Sequence, residues 1–218
     1  MIKADTFTFL SDLAENNNRE WFAENKARHD VAKQEVFEFV SEIGKGLSKT
    51  DNAIPADLNA KDCVMRIYRD IRFSLDKTPY KTNFGAGISP NGKNFKGPGY
   101  YLHISPDECF VAGGCWMPEA EQLKLIRQEI DYNSFDFKKS LKFQKNSNAR
   151  LDSDHKLKTM PKGYPAGHPD SEFLKLKSFT VTIPLKPADL MKPDAVNTVV
   201  DGFASIYPFI LFLRNAIS

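Results

Sequence analysis

The sequence predicts an α+β domain, with a central, mainly antiparallel sheet covered by N-terminal, middle and C-terminal helices. Three patterns point there. Apolar residues recur at helical spacing near both ends and in the middle of the 218-residue chain. Residues 100–104 and 109–113 flank Ser105-Pro106-Asp107-Glu108, whose proline suits the second position of a turn, so this stretch reads as a β-hairpin. Residues 179–185 alternate with period two, as a half-buried strand does. The length suits one domain spanning 1–218.

From the N-terminus, residues 6–15 form a short amphipathic helix with Phe7, Leu10 and Leu13 on one side. Asn16-Asn17-Asn18 breaks it. Asn17 can cap a second helix, with Glu20 three residues on as in a capping box, and Phe22, Val36, Val40, Ile43 and Leu47 carry helical spacing to about residue 48. Trp21 and Phe22 read as an aromatic anchor for that helix start. Residues 63–73 read as a strand. One face holds Cys63, Met65, Ile67, Arg69, Ile71 and Phe73, and packs on the core. The other holds Val64, Arg66, Tyr68, Asp70 and Arg72. Asn83 to Gly99 is glycine-rich and reads as a flexible loop or turn, with Gly85-x-Gly87 only a weak phosphate signal. A helix follows over 118–130 with Leu123, Ile126 and Ile130 buried and Arg127 beside them, then a shorter one over 135–143. Residues 162–169 form an ordered loop. Pro187 and Pro193 start short helices, and the apolar segment to about residue 215 is kinked at Pro208.

Composition is that of an ordinary globule, 41% hydrophobic and 27% charged, with 17 Phe pointing to aromatic-rich packing. No apolar run is read as a membrane span, and the N-terminus lacks signal-peptide features. Three cysteines without paired spacing suggest reduced thiols and a cytoplasmic setting. The histidines lack ligand spacing and no metal site is expected; no cofactor is assigned.

Function concentrates in Arg66-Ile67-Tyr68-Arg69-Asp70-Ile71-Arg72-Phe73-Ser74-Leu75-Asp76-Lys77-Thr78-Pro79-Tyr80. Arginine stays charged, so burial cannot neutralise it, and Asp70 balances only one of Arg66, Arg69 and Arg72. Residues 61–96 hold eight Lys/Arg against three Asp, while the whole chain is only +2. A local excess favours an anionic partner over general solubility. The expected ligand-binding residues are Arg66, Arg69, Asp70, Arg72, Asp76, Lys77, Tyr80, Tyr101 and His103. The candidates for moving a proton are Tyr80, His103 and Asp70. Tyr101 and His103 share one face of the first hairpin strand and would join the site if that face lies beside Arg66, Asp70 and Arg72.

The pattern Arg66-x-x-Arg69-Asp70-x-Arg72-Phe73-x-x-Asp76-Lys77-x-x-Tyr80 resembles the signature of a bacterial family known as domain of unknown function 2461. Asn17-Asn18-Arg19-Glu20-Trp21-Phe22, Gly99-Tyr100-Tyr101-Leu102-His103 and Lys162-Gly163-Tyr164 resemble it too. The resemblance implies a family of about this size, also found as a domain in larger fungal proteins, without an established activity.

Three functions fit these residues. Arg66 and Arg72 could clamp a phosphate- or carboxylate-bearing small molecule, with Lys77 adding charge and Tyr80 or His103 moving a proton. The motif could instead be an internal ion-pair network that fixes the sheet of a protein-interaction domain. A basic surface could also bind nucleic acid, with Tyr68, Tyr100 and Tyr101 stacking on bases; Lys138 to Lys177 adds ten Lys/Arg against four Asp/Glu.

Overall fold

A computed structural model describes residues 1–143 and 148–218. In chain order the elements are α1 (Ala4–Glu15), α2 (Arg19–Glu24), α3 (Lys26–Leu47), α4 (Ala60–Cys63), β1 (Phe84–Ile88), β2 (Gly99–Ile104), β3 (Cys109–Cys115), α5 (Ala120–Tyr132), α6 (Ser134–Ser140), β4 (Arg150–Leu151), α7 (Ser171–Leu174), β5 (Phe179–Leu185), α8 (Pro187–Leu190) and α9 (Ala195–Ala216). The five strands form one antiparallel sheet in the order β1-β2-β3-β5-β4, so the α+β architecture holds.

The two faces of the sheet have different fates. Ala86, Tyr100, Leu102, Val111, Val181 and Ile183 point to one side and are buried. Helix α9 lies on that side against β3, with α3 packed on α9. The approach is close: a Cβ on Gly113 would come within 2.8 Å of Ile206. By length and mean hydropathy (1.5), α9 would suffice to cross a membrane, contrary to the expectation that no run qualifies. Here its Val199, Phe203, Ile206, Phe209, Ile210 and Leu213 are buried in the core. It runs through Pro208 as one helix. The opposite sheet face carries Gly85, Gly87, Tyr101, His103, Phe110, Ala112, Thr180 and Thr182 by register.

Most elements fall where the sequence puts them, with four corrections. The long N-terminal helix is two helices divided at Asn25, and the cap is Asn18, whose side chain accepts from the Trp21 amide. Asn17 is spent elsewhere. Residues 63–73 are not a strand of the sheet. Cys63 ends α4, and beyond it only Val64 and Tyr68 form isolated bridges, to Ala86 and Tyr80. The expected apolar face breaks up accordingly, since Val64 is buried while Phe73 is 96% exposed. The glycine-rich Phe84–Ile88 is not a loop but strand β1, buried throughout. Its small residues hide the alternation by which strands are recognised. Part of the basic run 138–177 falls on residues 144–147, outside the described residues.

Candidate functional site

The arginine motif forms an irregular ribbon along the free edge of β1. The Met65 amide donates to Gly85, Lys81 to Ile67, and Arg69 to Pro79, at 2.8, 2.7 and 2.9 Å. Between the two bridges, three residues (65–67) oppose five (81–85), a bulge that ends regular pairing. Asn17 pins the ribbon by pairing with both backbone groups of Tyr80: the Tyr80 amide donates to Oδ1 at 3.1 Å, and Nδ2 donates to the Tyr80 carbonyl at 3.0 Å. The Tyr80 ring stacks on Phe22 with centroids 4.0 Å apart. Burial pushes its phenol up, so it stays protonated, and its packing is that of an anchor.

The motif's charges largely close on themselves. The Arg69 guanidinium donates to Asp76 and to the Thr78 hydroxyl. The Thr78 amide donates to Asp76 at 2.9 Å, and this bond, reinforced by Arg69, holds the Asp76 carboxyl down at about 2. Arg72 grips Asp70 through Nε and Nη2, at 3.0 and 2.7 Å. Lys77 donates to the Ile71 carbonyl at 2.9 Å. Arg66 is exposed and without an ion-pair partner among the described residues. Its charge adds to burial in lowering the amine of half-buried Lys81. The positive surplus expected on two arginines therefore rests on Arg66, Lys77 and Lys81, because Asp76 meets Arg69. Arg69, Asp76, Tyr80 and Lys81 line only a shallow depression of about 380 Å³.

Tyr101 and His103 sit elsewhere, on the open face of the sheet. His103 meets Asn83, Tyr101 and Phe110, not the Arg66, Asp70 or Arg72 side chains. Its ring lies parallel to Phe110, 4.7 Å between centroids. The Tyr101 hydroxyl is 3.3 Å from His103 Nδ1, and Asn83 Nδ2 is 3.5 Å from the same atom. Burial lowers the His103 pKa and raises that of Tyr101, so both are neutral near pH 7. Tyr101 can lie there because residue 85 is glycine: a Cβ would come within 2.5 Å of its hydroxyl.

Beside this pair opens a cavity of about 690 Å³. Ala112, Thr180 and Thr182 contribute the sheet surface, and Tyr101, Phe110, Phe95 and Trp116 the aromatic walls. Its rim holds Met117 at φ 44°, a left-handed conformation costly for a residue with a Cβ. The Met117 amide donates to Ser178 Oγ at 2.9 Å, which secures the turn. Among its charged residues, Lys96 and Glu119 pair at 3.2 Å. Lys93 is half-buried and donates to the Lys61 carbonyl at 3.0 Å, with no acid at ion-pair distance among the described residues.

A match to the family described as "Conserved hypothetical protein (DUF2461)" spans residues 5–212. The chain belongs to the DUF2461 family. No curated protein and no solved structure matches it. The match embraces the motif ribbon and the cleft alike, so membership does not choose between them.

Of the residues singled out from the sequence, Tyr101 lines the cleft and His103 adjoins it; Arg66, Arg69, Asp70, Arg72, Asp76, Lys77 and Tyr80 are not among its walls. Sequence reasoning missed Phe95, Trp116, Asp152, Thr180 and Thr182. The alternation over 179–185 held the only signal, since it places both threonines on one strand face. Gly85 and Gly87 lie beneath Tyr101 and Phe95 rather than open to a phosphate. Tyr100 is fully buried and donates to Asp51 at 2.9 Å, so it cannot stack on a nucleic-acid base. The thiols of Cys63 and Cys115 are pushed up to about 11 by burial, and Cys109, paired with Ile104, lies on the sheet face opposite His103.

Proposed function

We propose that this DUF2461 protein binds a phosphate- or carboxylate-bearing small molecule in the cleft on the open sheet face. The body of the ligand rests on the sheet between aromatic walls, and Lys93 takes the anionic group. The observation that carries the reading is a 690 Å³ cleft, a volume typical of small-molecule sites, with a half-buried lysine that has no acid partner. A bound anion would supply Lys93 with the counter-charge that no described acid gives it. The motif arginines are the weaker clamp, because Arg69 and Arg72 already hold Asp76 and Asp70. The same geometry lets Tyr101, its hydroxyl 3.3 Å from His103 Nδ1, hydrogen-bond a ligand in the cleft.

Thermal melting in a panel of aryl phosphates and aryl carboxylates, against chloride, tests this. A ligand at a hundred times its Kd should stabilise by about 2.7 kcal/mol. Lys93→Ala and Ala112→Phe should each abolish the shift, and Arg66→Ala should leave it. The reverse pattern would move the site to the motif ribbon.

A second reading has an observation of its own. Phe73 and Leu75 are 96% and 102% exposed on a loop stitched together by the motif's ion pairs. Large apolar side chains presented this way suit contact with another protein.

A further inference from the structure

The cleft also carries an unmet negative charge, on the wall opposite Lys93. Asp152 follows β4, and its amide donates to the Thr180 carbonyl at 2.8 Å, which places it beyond β5. Its carboxylate accepts from the Asp154 amide at 2.9 Å and meets the Thr180 hydroxyl at 3.5 Å. No lysine, arginine or histidine among the described residues lies at ion-pair distance, and an ionised carboxylate offers about four acceptor positions. Arg150, two residues earlier on β4, is exposed and unpaired with it.

The sheet order sets the backbone span between the two residues. Lys93 lies above β1, its Cα 3.1 Å from where a Cβ on Gly87 would be. From β1 across β2, β3 and β5 to β4, which Asp152 follows, is four strand spacings, about 19 Å between backbones, a span that the two cleft-lining side chains narrow. The sheet surface between them is low, since Ala112 and Thr182 pair across β3 and β5. Trp116 and Phe110 stand beside it. Such a slot accepts a planar ring better than a branched chain, because flat groups gain most from aromatic contact.

We propose that the ligand of this cleft joins its phosphate or carboxylate to a planar ring bearing an N–H donor, with Lys93 holding the anion and Asp152, flanked by the Thr180 and Thr182 hydroxyls, accepting from the ring. The inference rests on the binding role proposed above and adds the ligand's second end. A ring amino group is the group this wall selects, and an amino-substituted nucleoside monophosphate is the simplest molecule with both ends.

The test is calorimetric titration of the full chain with adenosine 5′-monophosphate, with purine riboside 5′-monophosphate, which lacks the amino group, and with ribose 5-phosphate. The adenine nucleotide should bind at least about tenfold more tightly than the purine one, as expected for a hydrogen bond to a charged acceptor. Asp152→Asn should erase that ratio, and Thr182→Val should reduce it while leaving the melting temperature unchanged. Lys93→Ala should weaken all three phosphates by a similar factor. Equal binding of the two nucleotides to the wild-type chain, still dependent on Lys93, would overturn the Asp152 assignment and leave the binding role standing. Indifference of all three phosphates to Lys93→Ala would overturn both, and no binding of any of them would overturn the nucleotide assignment while the aryl phosphate and carboxylate panel decides the binding role.

Discussion

Arg72 and Arg214 each meet an aspartate at nearly the same distance, 2.7 and 2.8 Å, and almost nothing else about the two pairs is alike. Arg72 holds Asp70 two residues away, with side chains 76% and 47% exposed. Arg214, in the last turn of α9, reaches across 163 residues to Asp51, which is 1% exposed. Asp51 also accepts from the Tyr100 hydroxyl at 2.9 Å and from the Ala53 amide at 3.1 Å, so three parts of the chain converge on one carboxylate. The first pair is conspicuous in the sequence and costs the fold little if lost, because water screens it. The second joins α9, strand β2 and the connection after α3. Charge density along a sequence therefore marks where arginines are, and the fold decides which of them matter for stability.

Breaking the buried pair should have the largest effect. Asp51→Ala leaves Arg214 and Tyr100 without their acceptor, and loss of one partner of a buried ion pair costs about 3–5 kcal/mol. Urea unfolding followed by circular dichroism would show it as a lower midpoint. A loss no larger than that of an exposed pair would show that α9 is held to the sheet by its apolar contacts alone.

Acidity sharpens the same contrast. Burial pushes the Asp51 carboxyl up, but the hydrogen bonds from Arg214, Tyr100 and Ala53 outweigh it and hold the group below its ordinary value. A carboxyl depressed in the folded state contributes stability that is complete above its unfolded pKa, about 3.9, and is lost as pH falls through the folded value. The stability gap between the wild type and Asp51→Asn should therefore be constant from neutral pH to about 5 and narrow below about 4. A gap that closed well above pH 5 would mean that Arg214 and Tyr100 do not hold the Asp51 carboxylate ionised in the folded chain.

How much of this was legible in the sequence follows from the range of each interaction. Helices α1 and α5, the β2–β3 hairpin and strand β5 declare themselves through local periodicity or turn chemistry. Strand β1 does not, because Gly85, Ala86 and Gly87 carry no alternation, and pairing with β2 rather than propensity makes it a strand. Residues 63–73 mislead for the opposite reason: an alternating pattern is present, but the edge it could join is bulged, and the chain turns outward after Arg69. The candidate site divides in the same way. Tyr101 and His103 could be placed together from their i, i+2 spacing on β2. Lys93 entered only as part of a net charge, and Asp152 could not be placed, since its role depends on β5 lying between β3 and β4.

Loosening the exposed pair should do much less than breaking the buried one. Asp70→Asn removes the charge that Arg72 grips, but both side chains stay solvated and the ribbon keeps its Asn17 and Phe22 contacts with Tyr80. Its melting curve should superimpose on that of the wild type at physiological salt. A clear drop would mean the Asp70–Arg72 bond shapes the ribbon itself.

The smallest effect on stability is expected at the tip of the same loop, where it would be most informative. Phe73 and Leu75 are wholly exposed, so folding gains nothing from keeping them out of water, and Phe73→Ser with Leu75→Ser should change stability by less than about 0.5 kcal/mol. Two large apolar groups held in solvent by the Arg69–Asp76 and Asp70–Arg72 bonds favour association with other surfaces. Sedimentation or light scattering of the double variant against the wild type reads that directly. If the wild type self-associates and the double variant does not, with unchanged melting and unchanged ligand binding in the cleft, the motif ribbon and the sheet-face cleft are separate working surfaces. If the double variant instead melts lower, these side chains are packed in solution, and the loop folds back onto the domain.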